Sequence, residues 1–273
     1  MQSSDITLEY LQGRPLSYSS LKQFQKSPRH YLHYVSQPRG EGQKSDEMLL
    51  GNVFEDMLLE PDIVEGKYGF CPPLNKSTKE GKAKYQQVVD ENPGKTIVRY
   101  NMKQAAEDMV AAVMACPQAM ELINEGGTVQ RTITWTDRKT GLPVVAKIDL
   151  EGSGRSFILD LKSASDASPK AFARQCLNLD YTLQTGTYRT AYKHNFFEFP
   201  PFFNIAVEYK PPYCVAAYRT TDDYLKYGEK QFQQLMDRFK YCMSHDKFNE
   251  SYHFLSSLPQ LPLDIPIWAK KSD

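Results

Sequence analysis

Two acids and a lysine interrupt apolar runs in residues 147–163, KIDLEGSGRSFILDLKS, and their spacing suits a reaction better than it suits packing. Along an extended strand, side chains two apart share a face. Asp160 and Lys162 therefore project together with Ile158, while Leu159 and Leu161 pack on the other side. The turn at about 151–156 folds the next strand back, and an antiparallel hairpin brings Asp149 near Asp160 or one of its neighbours. Two carboxylates pushed together repel, and each prefers a proton unless a cation sits between them. Mg²⁺, or Mn²⁺ as a substitute, supplies that cation through one or two carboxylates plus waters and phosphate oxygens. It polarises a phosphate and acidifies a bound water. A lysine beside it orients that water or stabilises charge as the P–O bond breaks. The chemistry that fits is phosphodiester hydrolysis. Taken alone, the spacing also fits an ordinary ion-pair set on a half-exposed sheet, because the pattern is short.

Three strands must hold these residues: 128–135, 144–151 and 156–163, a meander with turns at TDRKTGLP and GSGR. Before it, 16–35 reads as a helix capped by Ser17, Ser19 or Ser20 and broken at Ser27-Pro28. SQPRGEGQKSDEM (36–48) is a polar loop, 48–61 a mostly buried helix ended by Pro61, and 62–78 loop-like. Helices follow near 79–91 and 101–123, the second capped by Asn101 and bent at Pro117. After the meander come helical stretches at 169–177 and 180–195, a hairpin of 202–210 with 213–220, and a long amphipathic helix over 222–248. The fold class is α/β or α+β, with a central mixed β-sheet flanked by helices. It reads as one domain over 1–250, with an N-terminal helical part (about 16–125), a sheet core (about 128–220) and a Pro-rich tail over 251–273 that can lie extended across a neighbour.

Composition narrows the classes. The 33 basic and 33 acidic residues balance, so overall charge gives no support to DNA coating, although charge can still be segregated between faces. No apolar window is long enough to span a bilayer. The acidic start MQSSDITLEYLQG lacks a signal-peptide core, so the expected compartment is the cytoplasm. Five scattered cysteines without a CxxC pair point to reduced thiols rather than a zinc site. The five histidines show no metal-ligand spacing and read as structural or surface residues, and Lys147 and Arg131 as surface charge. KSPRHYLHY mixes bases and aromatics, which serves either a DNA strand or an amphipathic helix packed on the sheet.

Several blocks in order carry a resemblance to a known family. A run from Ser17 through Leu21, Phe24 and Ser27-Pro28 to Tyr31 looks like its helical entry. GNVFEDMLLEPD (51–62) resembles its G-x-x-x-H-x-x-x-L-E-P element, with Glu55 where the family usually has His. WTDRKTGLPVVAKIDLE (135–151), LDLKSA (159–164) and QTGTY (184–188) resemble its W-x-D-x-x-T-G strand pair, D-x-K-[ST] core and Q-x-x-x-Y helix. Gln130 stands where related nucleases often hold an acid on the first strand. The chain is thus similar to the PD-(D/E)XK nuclease superfamily, with a restriction-endonuclease-like core, and more narrowly to the RecE-type exonucleases (exonuclease VIII and relatives) of phages and prophages.

The resemblance implies catalytic Asp149, Asp160, Lys162 and Glu55. Glu55, Asp149 and Asp160 would hold Mg²⁺, with the Leu161 carbonyl a further ligand. Ser163, Gln184 and Tyr188 would face substrate. Glu55 can ligand a metal, but acid–base behaviour of the family His does not transfer to it. Also implied are linear double-stranded DNA ends degraded 5′ to 3′, a single-strand annealing partner in recombination, and a homo-oligomeric ring threading DNA. The alternatives are an endonuclease or single-strand nuclease on the same fold, or a non-catalytic module binding DNA ends or a partner.

Overall fold

Serine hydroxyls begin the first long helices, and proline sets the break between them. Ser17 Oγ accepts the Ser20 N–H at 3.3 Å, and Ser27 caps a second helix whose first residue is Pro28. In the computed structural model, residues 1–37, 45–255 and 263 are described. The elements run α1 (Leu8–Gly13), α2 (Tyr18–Lys26), α3 (Pro28–Ser36), α4 (Asp46–Leu59), α5 (Val64–Lys67), β1 (Tyr68–Cys71), α6 (Lys79–Glu91), β2 (Thr96–Arg99), α7 (Tyr100–Met114) and α8 (Pro117–Asn124). They continue with β3 (Gly127–Thr136), β4 (Pro143–Gly152), β5 (Ile158–Ala164), α9 (Pro169–Asn178), α10 (Tyr181–Phe196), β6 (Phe202–Glu208), β7 (Val215–Arg219) and α11 (Asp222–Ser244).

Two compact units emerge. The first draws on the described residues of Met1–Gly42, Thr134–Val145 and Lys230–Asp273. Its centre is aromatic: Phe24, Tyr31 and Phe248 surround Phe239, with ring centroids 4.8–5.0 Å from it. Tyr31 therefore spends its ring on packing, and KSPRHYLHY is, at that residue, a core helix rather than a stacking surface. The second unit comprises the described residues of Gln43–Ile133 and Ala146–Glu229.

A five-stranded mixed sheet has the order β3-β4-β5-β6-β7. β4 and β5 are antiparallel, with Leu150 opposite Leu159 and Glu151 opposite Ile158. β5 and β6 are parallel, with Asp160 beside Asn204 and Lys162 beside Ala206, and their connection runs through α9 and α10. β5 is thus paired on both edges. Leu159 and Leu161 enter a core with Leu50, Val53 and Phe54 of α4 and Met102 and Met109 of α7. Ala164 and Ala206 pack with Phe172 and Cys176 of α9. α10 meets α11 at two glycines: a Cβ on Gly186 would lie 2.1 Å from the Gly228 carbonyl carbon, so only hydrogen fits there.

Several local expectations change. Residues 62–78 contain α5 and β1, and β1 pairs in parallel with β2, which the sequence reading lacks. Strands of four residues are too short for a periodic signal. Arg99, not Asn101, occupies the position before α7, because β2 runs directly into that helix. Pro117 does not bend one helix but separates two, serving as the first residue of α8. All five cysteines are free. Residues 38–44 of the expected polar loop, and the Pro-rich tail apart from 251–255 and Leu263, lie outside the described residues. Among the described residues, no helix is long and apolar enough to cross a membrane.

Candidate active site

The β4–β5 ladder pairs Leu150 with Leu159, so one more step in that register sets Asp149 against Asp160. There a side chain replaces the backbone: Asp149 Oδ2 accepts the Leu161 N–H at 2.8 Å. The hairpin thus delivers what the spacing of Asp149 and Asp160 predicts, and the contact fixes the Asp149 carboxylate beside the acid of β5.

Asp160 is 1% exposed, an unusual place for a charge. Its Oδ1 accepts from Gln184 Nε2 of α10 at 2.8 Å, and its Oδ2 pairs with the Lys162 ammonium two residues along the same strand. Gln184 also donates to the Tyr188 hydroxyl at 3.0 Å. Gln184 and Tyr188 lie one turn apart on one face of α10, as Q-x-x-x-Y requires. Tyr188 is buried, and burial first, then Asp160 and Asp149, push its hydroxyl far above the usual phenol range. It stays a neutral hydroxyl.

Desolvation works against the Lys162 charge, but Asp160, Tyr181 and Asp149 outweigh it and hold the ammonium well above its ordinary range. The ammonium also sits 4.6 Å from the centre of the Tyr181 ring. Lys162 is therefore a fixed cation at neutral pH and has no lone pair with which to accept a proton.

Asp149 is pushed well up by desolvation, then by the charges of Asp160 and Glu55; Lys162 and the Leu161 N–H pull it back only in part. Glu55, on α4, is likewise raised by burial, countered by a hydrogen bond from Gln130 Nε2, and raised again by Asp160. Both residues are half-buried. Three carboxylates and one ammonium thus form a single electrostatic unit. The acids carry more negative charge than Lys162 neutralises, and the two most perturbed stay prone to protonation.

Such hard oxygen donors, made basic by mutual repulsion, suit a small divalent cation. Among the described residues, no three His, Cys, Asp or Glu side chains stand as a ready-made cage. Nitrogen donors fill part of that role: the Lys162 ammonium on Asp160 and the Gln130 amide on Glu55.

The other expected residues fall nearby with different contacts. Leu161 contributes its N–H, while its side chain is buried in the core. Ser163 lies against α4, where a Cβ on Gly51 would be 3.4 Å from its Oγ, and its carbonyl accepts from Gln175. Lys147 is exposed, and Arg131 stands 4.0 Å from Glu151 with its side chain partly in solvent.

Two supporting residues, Gln130 and Asp56, lie outside the expected site set. Gln130, on β3, holds Glu55 from a left-handed backbone (φ 54°), a conformation that costs a non-glycine residue about 1–3 kcal/mol. Asp56, next to Glu55 on α4, accepts from the Tyr68 hydroxyl at 2.5 Å and pairs with Lys67 at 2.6 Å. α5 and β1 therefore anchor α4 at the residue beside its candidate ligand. The signal for Gln130 was its position on the first strand, where related enzymes place an acid. Lys67 and Tyr68 sat in a stretch without periodicity.

Comparison with known proteins adds to this geometry. A family model described as a PDDEXK-like domain of unknown function (DUF3799) matches residues 17–251. A crystal structure of a candidate exonuclease from Eubacterium rectale is similar at a TM-score of 0.63 and 17% identity, covering 98% of this chain and 96% of that one. No curated protein matches the chain.

Proposed function

The chain belongs to the PDDEXK-like family DUF3799, and on that footing we propose that it is a metal-dependent deoxyribonuclease acting on DNA ends. The observation that carries the proposal is the union of Asp149, Asp160 and Lys162 at one place on the β4–β5 pair, with Glu55 and Gln184 closing on it from two helices. The resemblance to the PD-(D/E)XK superfamily is borne out by the family match and the fold. The narrower likeness to RecE-type exonucleases supports 5′-to-3′ digestion of linear duplex DNA, in recombination with a single-strand annealing partner and within a homo-oligomeric ring.

PDDEXK nucleases generally use divalent metal ions, and Glu55, Asp149 and Asp160 are the residues that would hold Mg²⁺ here. A bound divalent ion supplies Lewis acidity toward a phosphate oxygen and a more acidic water. The chain's own residues do the rest. Lys162 meets negative charge developing on the phosphate and orients groups near Asp160. Gln184 fixes the Asp160 rotamer, and Tyr188 offers a neutral hydroxyl beside it.

The test is digestion of linear duplex DNA labelled at either end, and of circular duplex, with Mg²⁺, Mn²⁺ or EDTA. Metal-dependent release from 5′ ends, absent in Asp160→Ala, supports the reading. Cutting of circles makes the enzyme an endonuclease on the same fold. A second reading, a module that binds DNA ends without cutting them, draws on the protein nitrogens already occupying Asp160 and Glu55. DNA binding without cleavage under any metal would establish it.

A further inference from the structure

Beside α10, with Arg189 in its wall, lies a cavity of about 460 Å³. Arg189, Phe199, Pro201, Arg219, Thr221 and Asp222 line it. Its ingredients differ from those of the candidate active site, with two guanidinium groups, one carboxylate and an aromatic wall. Phe199 is 56% exposed, far more than packing accounts for. Cations already gather on its ring: the Arg189 guanidinium carbon is 5.4 Å from the ring centre and the Lys193 ammonium 5.9 Å. Arg189 and Lys193 are four apart on α10 and so share a face. Glu229 takes up part of the Arg189 charge at 3.2 Å, and Arg219 remains exposed at the end of β7.

We propose that this cavity is a nucleotide-binding subsite, in which a base stacks on Phe199 and its phosphate meets Arg219 and Arg189. The inference deepens the nuclease reading and rests on it for the strand as ligand. An exposed ring flanked by cations is how proteins hold unpaired bases without reading sequence. The volume lies within the range of small-ligand sites, which start at roughly 300 Å³. Register gives the distance from the chemistry. Arg219 pairs with Phe203, and Phe203 with Leu159, the neighbour of Asp160. Two strand spacings put the Arg219 backbone about 10 Å from the acid-bearing strand. A stacked strand covers that span in about three nucleotides at about 3.4 Å each. Directly paired residues share a face, so Arg219 lies on the Leu159 side of the sheet, opposite to Asp160, and the subsite would hold a strand segment at least a few nucleotides from the bond being cut.

The same chemistry could come from a strand or from a released mononucleotide, and two arms separate them. Binding of a fluorescein-labelled oligo-dT of eight nucleotides, and of dTMP as an unlabelled ligand by calorimetry, is measured in EDTA so that no cleavage occurs. Phe199→Ala should weaken binding roughly 5- to 160-fold, the range for losing one base stack, while Phe199→Tyr binds as wild type. Arg219→Ala should weaken it too and flatten the salt dependence by about 0.7 in log–log slope, one phosphate contact. Losses confined to the oligonucleotide identify the strand as ligand, and matching losses for dTMP identify the free nucleotide. If wild type binds and both Ala variants, folded by thermal melting, bind within twofold of it in both arms, the subsite is overturned. The nuclease reading fails separately: no cleavage by wild type, with Phe199-dependent binding intact, removes the chemistry and leaves the subsite.

Discussion

Lys162 reaches back two residues along its own strand to Asp160, and the pair is sealed in, with side chains 11% and 1% exposed. Breaking a buried pair from one side strands the other charge, at a cost of about 3–5 kcal/mol. Lys162→Met should therefore lower stability by about that much in urea unfolding, and adding Asp160→Asn should recover most of it. Additive losses in the double variant would show that the two residues do not form one electrostatic unit.

The Asp149 carboxyl is raised by burial and by neighbouring acids, which gives its effect on folding a definite sign. Between the ordinary carboxylate range and the raised value, the native state keeps a proton that the unfolded chain has released. Stability therefore falls as pH rises through that window and stays lower above it. Asp149→Asn keeps an acceptor for the Leu161 N–H and removes this penalty. Its melting temperature should exceed wild type at pH 7.5, with the gap closing as pH drops toward 4. A gap independent of pH would contradict the assignment.

Gln130 holds Glu55 without adding charge, so its loss should show in metal binding before it shows in stability. Thermal melting against increasing Mg²⁺ reads this, because a ligand bound only by the native state raises stability by about 2.7 kcal/mol at one hundred times its Kd. Removing such a support typically costs about 10- to 100-fold in metal affinity, and Gln130→Ala should shift the Mg²⁺ titration by that factor. Asp149→Asn should abolish the Mg²⁺-induced rise. A titration in Gln130→Ala that overlays wild type would remove the positioning role.

The Gln184 amide serves two acceptors at once, Asp160 Oδ1 and the Tyr188 hydroxyl. Gln184→Ala should slow DNA cleavage by about 10- to 100-fold, as loss of a hydrogen bond to a charged group near 1.5–3 kcal/mol implies. Tyr188→Phe, which removes only the far end of the chain of contacts, should cost less than tenfold. The reverse ranking in single-turnover assays would mean that Tyr188, not Gln184, touches the substrate.

Gly186 and Gly228 let α10 and α11 approach within backbone contact. Gly186→Ala ordinarily favours a helix, by about 1 kcal/mol. Here the methyl meets backbone, which cannot swing aside as a side chain would, so the variant should be destabilised by about 1–3 kcal/mol or more. Calorimetric melting decides: a stabilised Gly186→Ala would mean that the helices part readily.

Much of the site was legible because it depends on parity and pairing. A period of two told which of Asp160, Leu161 and Lys162 share a face, and the short turn after Glu151 told what lies opposite. Gln184 and Tyr188 were legible as a one-turn pair. Gln130 was not, since its importance lies in a left-handed backbone and an amide donor where an acid was sought. β1 and β2 were hidden for another reason: four-residue strands far apart in sequence pair through tertiary packing, which leaves no local pattern. The same holds for Asp56, whose partners Lys67 and Tyr68 reach it only through the fold of α5 and β1.

The ladder between β4 and β5 also has a bearing on how preparations of this protein are judged. Side chains alternate strictly, so a slip of one residue would turn Leu159 and Leu161 out and drive Asp160 and Lys162 into the oil of α4 and α7. A molecule in that alternative pairing has neither the apolar core nor the acid–lysine set of the candidate site. On the nuclease reading, turnover per milligram in a refolded batch would rise with the fraction of correctly zipped hairpins, with no spectroscopic probe of the sheet needed.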